Sequence, residues 1–252
     1  GYWEFPGGKL EAGESPLDAL RRELHEALGV TVEDARPLIR FTHVYTERQV
    51  ELDVWRVMRY SGELQSREQQ SYAWLKPDEL ADWNLLPADR PITQILRLPP
   101  RMLVTPVLDT DSITFLDGLR HTLATGIDLV QLRAPNLDPV DYRHLAEQVI
   151  ALCRQYGARI VLNAEPQLAI QLGADGVHLT SERLLQLKER PGTAALLIGA
   201  SCHTAAELRQ VETCGLDYAV LGPVLPTTSH PGVTSLGWER FAQLVRDYSL
   251  PV

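Results

Sequence analysis

The feature that most constrains the fold is a series of short, β-rich segments in the second half of the chain. They recur at intervals of roughly 20–30 residues with helical patterns between them, which is typical of βα units and a parallel sheet. The segments are 102–107, 128–132, 159–162, 176–179, 196–200 and 218–221, and a seventh starts at Leu250. Six or seven such units predict a (β/α)8 barrel that lacks its end, with a doubly wound open sheet as the alternative.

A pair of prolines divides the chain. Pro99 and Pro100 stop a helical pattern and favour an extended connection. Before them, a Gly-rich opening, one strong helix and alternating strands such as 50–55 indicate an α+β half. We therefore predict two domains, 1–98 and 101–252, and a length of 252 residues accommodates both.

Both ends of the chain suggest a fragment. The first residue is Gly1 rather than a methionine, and residues 249–252 are typical of a strand that has just started. We expect a protein that continues beyond both ends.

The composition excludes several classes of protein. Apolar residues make up 44% and charged residues 23%, which excludes disorder, collagen and coiled coil. A net charge of −9 argues against nucleic-acid or anionic-membrane partners, and no apolar run is long enough for a membrane span. The three cysteines lack C-x-x-C spacing, so we expect no disulfide framework or zinc site, and a cytoplasmic location.

The strong helix of the first half carries two carboxylates on its flank. Ser15 is a good N-cap and Gly29 is placed to end the helix. Glu23 and Glu26 lie one turn apart and face a glycine turn at 7–8, which makes a plausible site for a hard cation such as Mg²⁺. Two glutamates at this spacing are also typical of a solvated helix face.

The whole segment 7–30 resembles the Nudix box, a pattern of fixed glycines, carboxylates and one arginine. The matching residues are Gly8, Glu14, Arg22, Glu23, Leu24, Glu26, Gly29 and Val30. The resemblance implies a Nudix fold whose early strands are missing, and a hydrolase that uses Mg²⁺, with Mn²⁺ as the alternative ion. The family carries a second glutamate where this chain has Ala27, so one expected metal ligand is absent.

The resemblance also implies the roles of individual residues. The metal ligands would be Glu23, Glu26, Glu68 and the carbonyl of Gly7, and Arg22, paired with Glu14, would orient the carboxylates. These five charged side chains are the implied catalytic residues.

Three further segments, 3–9, 67–75 and 87–91, resemble the MutT-type branch that hydrolyses oxidised purine nucleoside triphosphates. The resemblance places Phe5 and Lys9 beside the substrate and Asp89 at the purine edge. An ionised Asp89 would favour a ring N–H over a ring acceptor. A core role for Phe5 and a helix N-cap role for Asp89 remain the structural alternatives.

From residue 102 onward the chain resembles the thiamin phosphate synthase and TenI superfamily of barrels. The resemblance rests on segments 126–133, 172–179, 198–204 and 221–224, each at the end of a predicted strand. It implies a thiazole phosphate or another thiamin-pathway metabolite as ligand. The implied ligand-binding residues are Gln131, Arg133 and Asn163.

The departures from this barrel family fall on its catalytic positions. Ala164 and Arg183 stand where a synthase carries the two aspartates that hold Mg²⁺, and Pro135 and His230 stand where it carries lysines. We therefore predict that synthase activity is lost.

The TenI-like branch needs no such metal. The segment 201–204 resembles its S-x-H-[ST] motif, which makes His203 the candidate for proton transfer. Capping of the following helix is an equal alternative for His203, and for His178 we expect a core or supporting role.

These patterns together predict an Mg²⁺-dependent Nudix pyrophosphohydrolase of the 8-oxo-dGTP diphosphatase type, acting in nucleotide-pool sanitation and thereby in DNA repair. Its product would be a nucleoside monophosphate and pyrophosphate. One alternative is a non-catalytic module that binds a nucleotide or a thiamin metabolite, with Ala27 marking decay. A third interpretation places thiazole phosphate tautomerase activity in the barrel.

Overall fold

The computed structural model describes residues 1–67, 71–108, 111–193, 195–227, 234–246 and 248–252. The chain forms two compact units, the first comprising Gly1–Arg97 with Arg246–Pro251 and the second Leu98–Val245 with Val252. The domain limits 1–98 and 101–252 remain our proposal.

The first unit is an α+β arrangement built on one helix and one long hairpin. Its elements are α1 (Pro16–Leu28), β1 (Thr31–Val44), β2 (Gln49–Ser61), two 3-10 turns (Glu79–Asp82 and Pro87–Asp89) and α2 (Arg90–Arg97).

Helix α1 begins and ends at the residues that the sequence predicts. The hydroxyl oxygen of Ser15 accepts a hydrogen bond from the backbone N–H of Asp18, and Pro16 occupies the first turn, where its missing N–H costs nothing. Gly29 ends the helix with a φ of 74°, a left-handed conformation that a residue with a side chain rarely adopts.

The hairpin packs against α1 through a small apolar core. Strands β1 and β2 pair antiparallel, with irregular register between Val32 and Ile39 that bends the ladder. The core consists of Leu24, Val30 and Val32, with Leu20, Leu28, Ala35, Val57 and Leu64 packed around them. Because α1 is fixed to the hairpin by this core, its charged flank points away from it.

The second unit is a six-stranded parallel sheet with helices between the strands. Its elements are β3 (Met102–Val104), α3 (Ser112–Leu123), β4 (Leu129–Leu132), α4 (Pro139–Gln155), β5 (Arg159–Leu162), α5 (Pro166–Leu172), β6 (Gly176–Leu179), α6 (Ser181–Gln186), β7 (Leu197–Cys202), α7 (Ala205–Thr213), β8 (Tyr218–Leu221) and α8 (Gly237–Val245).

The strand order follows the sequence from β3 to β8 without a reversal. A doubly wound sheet reverses its strand order at a switch point, whereas a barrel adds each strand beside the previous one. The structure therefore supports the barrel interpretation over the open-sheet alternative. The strand predicted at Leu250 is wrong, since residues 249–252 are described and are not in strand conformation.

The register of the parallel pairs gives the sheet two different faces. Gln131 pairs with Val161, which pairs with Gly176, and side chains of paired residues share a face. The opposite face carries apolar side chains that are fully buried, and α4 to α7 contact their neighbouring strands. The first face carries the polar residues Gln131, His178 and Ser201 as well as Val161, and it is the inner face of a barrel.

No helix in the described segments is long and apolar enough to cross a membrane. The cysteines Cys153, Cys202 and Cys214 are buried and unpaired, and all three lie in the second unit.

Gly176 should be intolerant of a side chain. A Cβ atom there would lie 2.0 Å from the backbone carbonyl oxygen of Leu197 in the paired strand, which cannot move without breaking the sheet. We expect Gly176→Ala to destabilise the second unit by about 2–3 kcal/mol. Labelling of the three buried cysteines at increasing urea concentration measures the unfolding midpoint of this unit alone.

Gly118 provides the matched control for this substitution. It lies within α3, and a Cβ atom there would meet nothing within 4 Å. We expect Gly118→Ala to raise the urea midpoint slightly, because glycine destabilises a helix by roughly 0.5–1 kcal/mol relative to alanine. Equal midpoints for the two variants would contradict the steric argument.

Candidate functional site

Arg22 is the centre of the charged cluster on α1. Its Nε and Nη2 atoms donate to the two carboxylate oxygens of Glu14, both at 3.0 Å. Its Nη1 atom lies 2.8 Å from Glu23 Oε1 and 3.4 Å from Glu26 Oε2. Nη2 also donates to the Lys9 carbonyl, which fixes the glycine loop to the helix.

The arrangement keeps the cluster charged. Hydrogen bonds from Arg22 and from the Glu11 backbone lower the pKa of Glu14, and bonds to Glu14 and Glu23 raise the pKa of Arg22. The bidentate pair between Arg22 and Glu14 anchors the guanidinium, so Arg22 can hold Glu23 in one orientation.

Gly8 brings the loop directly against Glu23. A Cβ atom on Gly8 would lie 2.1 Å from the Glu23 carboxylate, so a side chain there would displace that carboxylate from its present orientation. Gly7 has no such constraint, since a Cβ atom there would meet nothing within 4 Å. Gly8 therefore permits the orientation in which Arg22 holds Glu23.

The site offers oxygen ligands of the kind that Mg²⁺ prefers. Glu23 and Glu26 lie one turn apart beside Arg22, and Gly8, the neighbour of Gly7, packs against Glu23. Among the described residues, no group of three or more His, Cys, Asp or Glu side chains could hold a metal ion. Glu68, the remaining predicted ligand, lies outside the described residues.

The position of the missing glutamate lies beside a cation. The backbone N–H of Arg67 donates to the Ala27 carbonyl at 3.1 Å, and its guanidinium donates to the His25 carbonyl at 3.3 Å. A glutamate at position 27 would therefore stand near Arg67 at the end of α1.

The N-terminal segment pairs with the segment that leads to Asp89. Trp3 pairs with Leu85 in an isolated parallel bridge, and its ring meets that of Trp83 edge to face at 4.6 Å. This pairing brings the partly buried Phe5 beside Asp89, whose carboxylate accepts a hydrogen bond from the Phe5 backbone N–H. The predicted base-binding residues Phe5 and Asp89 are thus neighbours, whereas the Lys9 side chain is exposed.

Asp89 is a buried carboxyl group with an unused oxygen. It is 7% exposed, and its Oδ2 atom has no hydrogen-bond partner in the described part of the chain. Burial, together with the charge of Glu4, raises its pKa to about 6. Sequence reasoning missed Glu4, which the pairing at Trp3 carries toward Asp89.

In the second unit, the inner face carries a buried hydrogen-bonded group around His178. Its Nε2 atom lies 2.9 Å from Ser201 Oγ, and its Nδ1 atom lies 3.1 Å from the Tyr218 hydroxyl, which also approaches Met102 Sδ at 3.8 Å. Burial lowers the pKa of His178 to about 4. His178 is therefore a neutral core residue, and Tyr218 and Ser201 are partners that only the strand register could have revealed.

The carboxyl edge of the same sheet carries the predicted ligand-binding residues. Gln131 and Arg133 lie on the inner face of the β4 segment, and Asn163 lies beside Arg133 because its backbone N–H donates to the Leu132 carbonyl. Gln131 is buried, whereas Arg133 and Asn163 are partly exposed. The structure thus brings these three residues together.

His203 precedes helix α7 without capping it. Thr204 is the N-cap and forms a reciprocal capping box with Glu207. The His203 Nδ1 atom contacts the Gly222 carbonyl, which is an acceptor, so Nδ1 is the donor in this contact and the ring is oriented by it. His230, which stands where the barrel family carries a lysine, lies outside the described residues.

The two units define a carboxylate-rich α+β domain joined to a parallel βα domain with a polar inner face. The chain belongs to the thiamine monophosphate synthase family over residues 102–252, and residues 1–94 match the NUDIX domain family.

Individual relatives match one unit each. A thiamine-phosphate synthase from Thermus thermophilus is 36% identical, the match covering 54% of this chain and 66% of the relative, slightly less than two thirds of its length. A CTP pyrophosphohydrolase from Escherichia coli is 37% identical over 37% of this chain and 70% of its own. A solved MutT structure, from work on Aliivibrio salmonicida and Vibrio cholerae, is 35% identical over 38% of this chain and 73% of that chain, with a TM-score of 0.34.

His178 should make the second unit sensitive to acid. Its pKa is about 4 in the folded protein against 6.5 for an ordinary histidine. The unfolded chain therefore binds the proton first as the pH falls, and stability present above pH 6.5 is lost toward pH 4, by up to roughly 3 kcal/mol. The urea midpoint from cysteine labelling should fall over this window, and more steeply than in His178→Gln.

A wild-type midpoint with the same pH dependence as His178→Gln would show that the buried imidazole is not responsible. The glutamine keeps a hydrogen-bonding group beside Ser201 but does not titrate, so it isolates the proton.

Proposed function

We propose that the first unit is a metal-dependent pyrophosphohydrolase of nucleoside triphosphates, giving a monophosphate and pyrophosphate. The observation that carries the proposal is the fixed position of the Glu23 carboxylate. Arg22 Nη1 donates to Glu23 Oε1 at 2.8 Å, and Gly8 of the glycine loop packs against the same carboxylate. Oxidised purine triphosphates of the 8-oxo-dGTP type remain the proposed substrates. The name of the Escherichia coli relative adds CTP to the substrates to be tested.

In this proposal each side chain has a defined task. Glu23, Glu26 and the Gly7 carbonyl hold Mg²⁺, or Mn²⁺ in its place, with Glu68 as the further ligand. Bound there, the metal would neutralise phosphate charge and lower the pKa of a water molecule. Arg22 fixes Glu23 and Glu26 in position, and Glu14 fixes Arg22 through two parallel hydrogen bonds.

The direct test is pyrophosphate release from 8-oxo-dGTP, dGTP and CTP by the full chain with Mg²⁺. Glu23→Gln keeps the size of the side chain and removes its charge, so we expect a loss of at least about a hundredfold in kcat. Glu63→Gln is the matched control, because Glu63 is an exposed glutamate outside the cluster and should leave the rate unchanged. Release no greater than that of Glu23→Gln would refute the hydrolase.

The alternative is a non-catalytic module that binds a nucleotide or a thiamin metabolite. Restoring a glutamate at Ala27 separates the two hypotheses. A decayed enzyme should gain at least about tenfold in rate, whereas an enzyme that uses another ligand should change little. Arg67, which contacts the Ala27 carbonyl, would stand next to the restored carboxylate.

For the second unit we propose the loss of synthase activity, since Ala164 and Arg183 cannot supply the carboxylates that the family resemblance implies. The contact of His203 Nδ1 with the Gly222 carbonyl orients the imidazole ring, which favours a proton-transfer role of the tautomerase kind as the second candidate function.

Asp89 should make base preference depend on pH. Its pKa is about 6, so below that pH the carboxyl both donates and accepts, and above it only accepts. Raising the pH from 5 to 8 should therefore favour dGTP, whose ring carries an N–H, over dATP, whose ring carries an acceptor, by about tenfold in the kcat/KM ratio.

Asp89→Asn is the control, because an amide donates and accepts at every pH. Its dGTP/dATP ratio should be flat between pH 5 and 8. A wild-type ratio that is equally flat, or a variant ratio that changes as much as the wild type, would remove Asp89 from base recognition.

A further inference from the structure

The carboxyl edge of β4, β5 and β6 does not fit the divalent cation that its barrel relatives imply. Ala164 follows Asn163 at the end of β5, is buried, and offers no side-chain oxygen. Arg183, in the first turn of α6, brings a positive charge to the position of the second expected carboxylate. A carboxylate close to this position, that of Glu165, accepts a hydrogen bond from Arg183 Nε at 2.6 Å.

The ion pair with Glu165 leaves the two Nη groups of the Arg183 guanidinium free to bind a ligand. The bond to Glu165 uses the Nε atom, and among the described residues no partner is found for the Nη1 and Nη2 atoms. The Arg183 side chain is 33% exposed, so it is partly desolvated and still accessible. The two Nη groups of an oriented guanidinium match the paired oxygens of a phosphate group.

Arg183 also lies near the carboxyl ends of β4 and β5. Burial raises the pKa of Tyr142, while the charge of Arg183 and a hydrogen bond from the Asn163 backbone act to lower it, so both groups lie close to the Tyr142 hydroxyl. That hydroxyl also donates to the Leu132 carbonyl at 3.4 Å. Tyr142 thus connects Arg183 to the ends of β4 and β5.

Arg133 is a second arginine at this edge of the sheet. Thr105 accepts from the Arg133 backbone N–H at 2.9 Å and donates to its carbonyl, which fixes the backbone from which the side chain projects. Within the described segments neither the Arg133 guanidinium nor the Asn163 amide has a hydrogen-bond or ion-pair partner. Two guanidinium groups therefore follow the ends of these strands, and one of the two nearby carboxylates, Glu165, is already bound to Arg183, while Glu182 is exposed in the first turn of α6.

We propose that this edge binds a small phosphate or diphosphate ester directly, through Arg133, Arg183 and Asn163, without a divalent cation. Glu165 orients Arg183 in the place of a metal ligand. The inference concerns the second unit and is independent of the hydrolase proposed for the first.

The test measures binding of inorganic pyrophosphate to the full chain by calorimetry in the presence of EDTA. A Glu23→Gln background and the chelator together suppress metal-dependent binding in the first unit. We expect binding in EDTA that Arg183→Gln weakens at least tenfold and Arg183→Lys weakens less. Arg143→Gln is the matched control, since Arg143 lies on α4 in the same unit and bonds to Gln171.

A paired substitution tests the exchange of metal for arginine. Ala164→Asp with Arg183→Asp should abolish binding in EDTA and make it depend on added Mg²⁺. Circular dichroism and cysteine protection show that each variant is folded. Wild-type binding that requires Mg²⁺, an affinity unchanged in Arg183→Gln, or no binding in EDTA would each overturn the proposal.

Discussion

The in-register pairing of parallel strands is the constraint on which the second unit depends. Because side chains alternate across a strand and paired residues share a face, the register at Gln131 fixes the direction of every strand side chain from β4 to β8. Shifting one strand by one residue would turn His178 toward the helices and a leucine inward. The register that buries the apolar side chains beneath the helices is therefore the same register that places His178 on the inner face.

A related rule governs the first unit, where partly buried charges require partners. Arg22 is a quarter exposed, with side-chain exposure of 25%, and Glu14 and Glu23 are more buried at 15% and 22%. Removing Arg22 would leave Glu14 and Glu23 without their shared cation in a partly buried place. Glu26, at 54%, is the weakest member and the freest to bind a cation. In the charged cluster on α1, Arg22 and Glu14 form a structural pair, whereas Glu23 and Glu26 are the carboxylates that can bind a ligand.

Sequence patterns predicted those parts of the molecule that depend on local rules. Ser15 and Gly29 bound α1 because caps act within one turn, and the strands at 159–162, 176–179 and 218–221 were identified because β-rich runs need no partner to be recognised. Contacts across the sheet were beyond such rules. Tyr218 is 40 residues from His178, and its ring fills the space beside Gly199, so neither residue alone indicates the contact.

Both units lack carboxylates that the families they resemble carry, but the replacements differ. On α1, Ala27 removes a carboxylate, but Glu14, Glu23 and Glu26 still outnumber Arg22, so the local field continues to favour a cation. At the barrel edge, Arg183 stands at the position of an expected carboxylate and is held by Glu165. The loss of one ligand weakens a metal site, whereas an arginine in the place of a ligand changes the class of ligand that the site can hold. Under our proposals, the first unit keeps the chemistry of its family with one ligand fewer, and the second keeps the fold of its family with different chemistry.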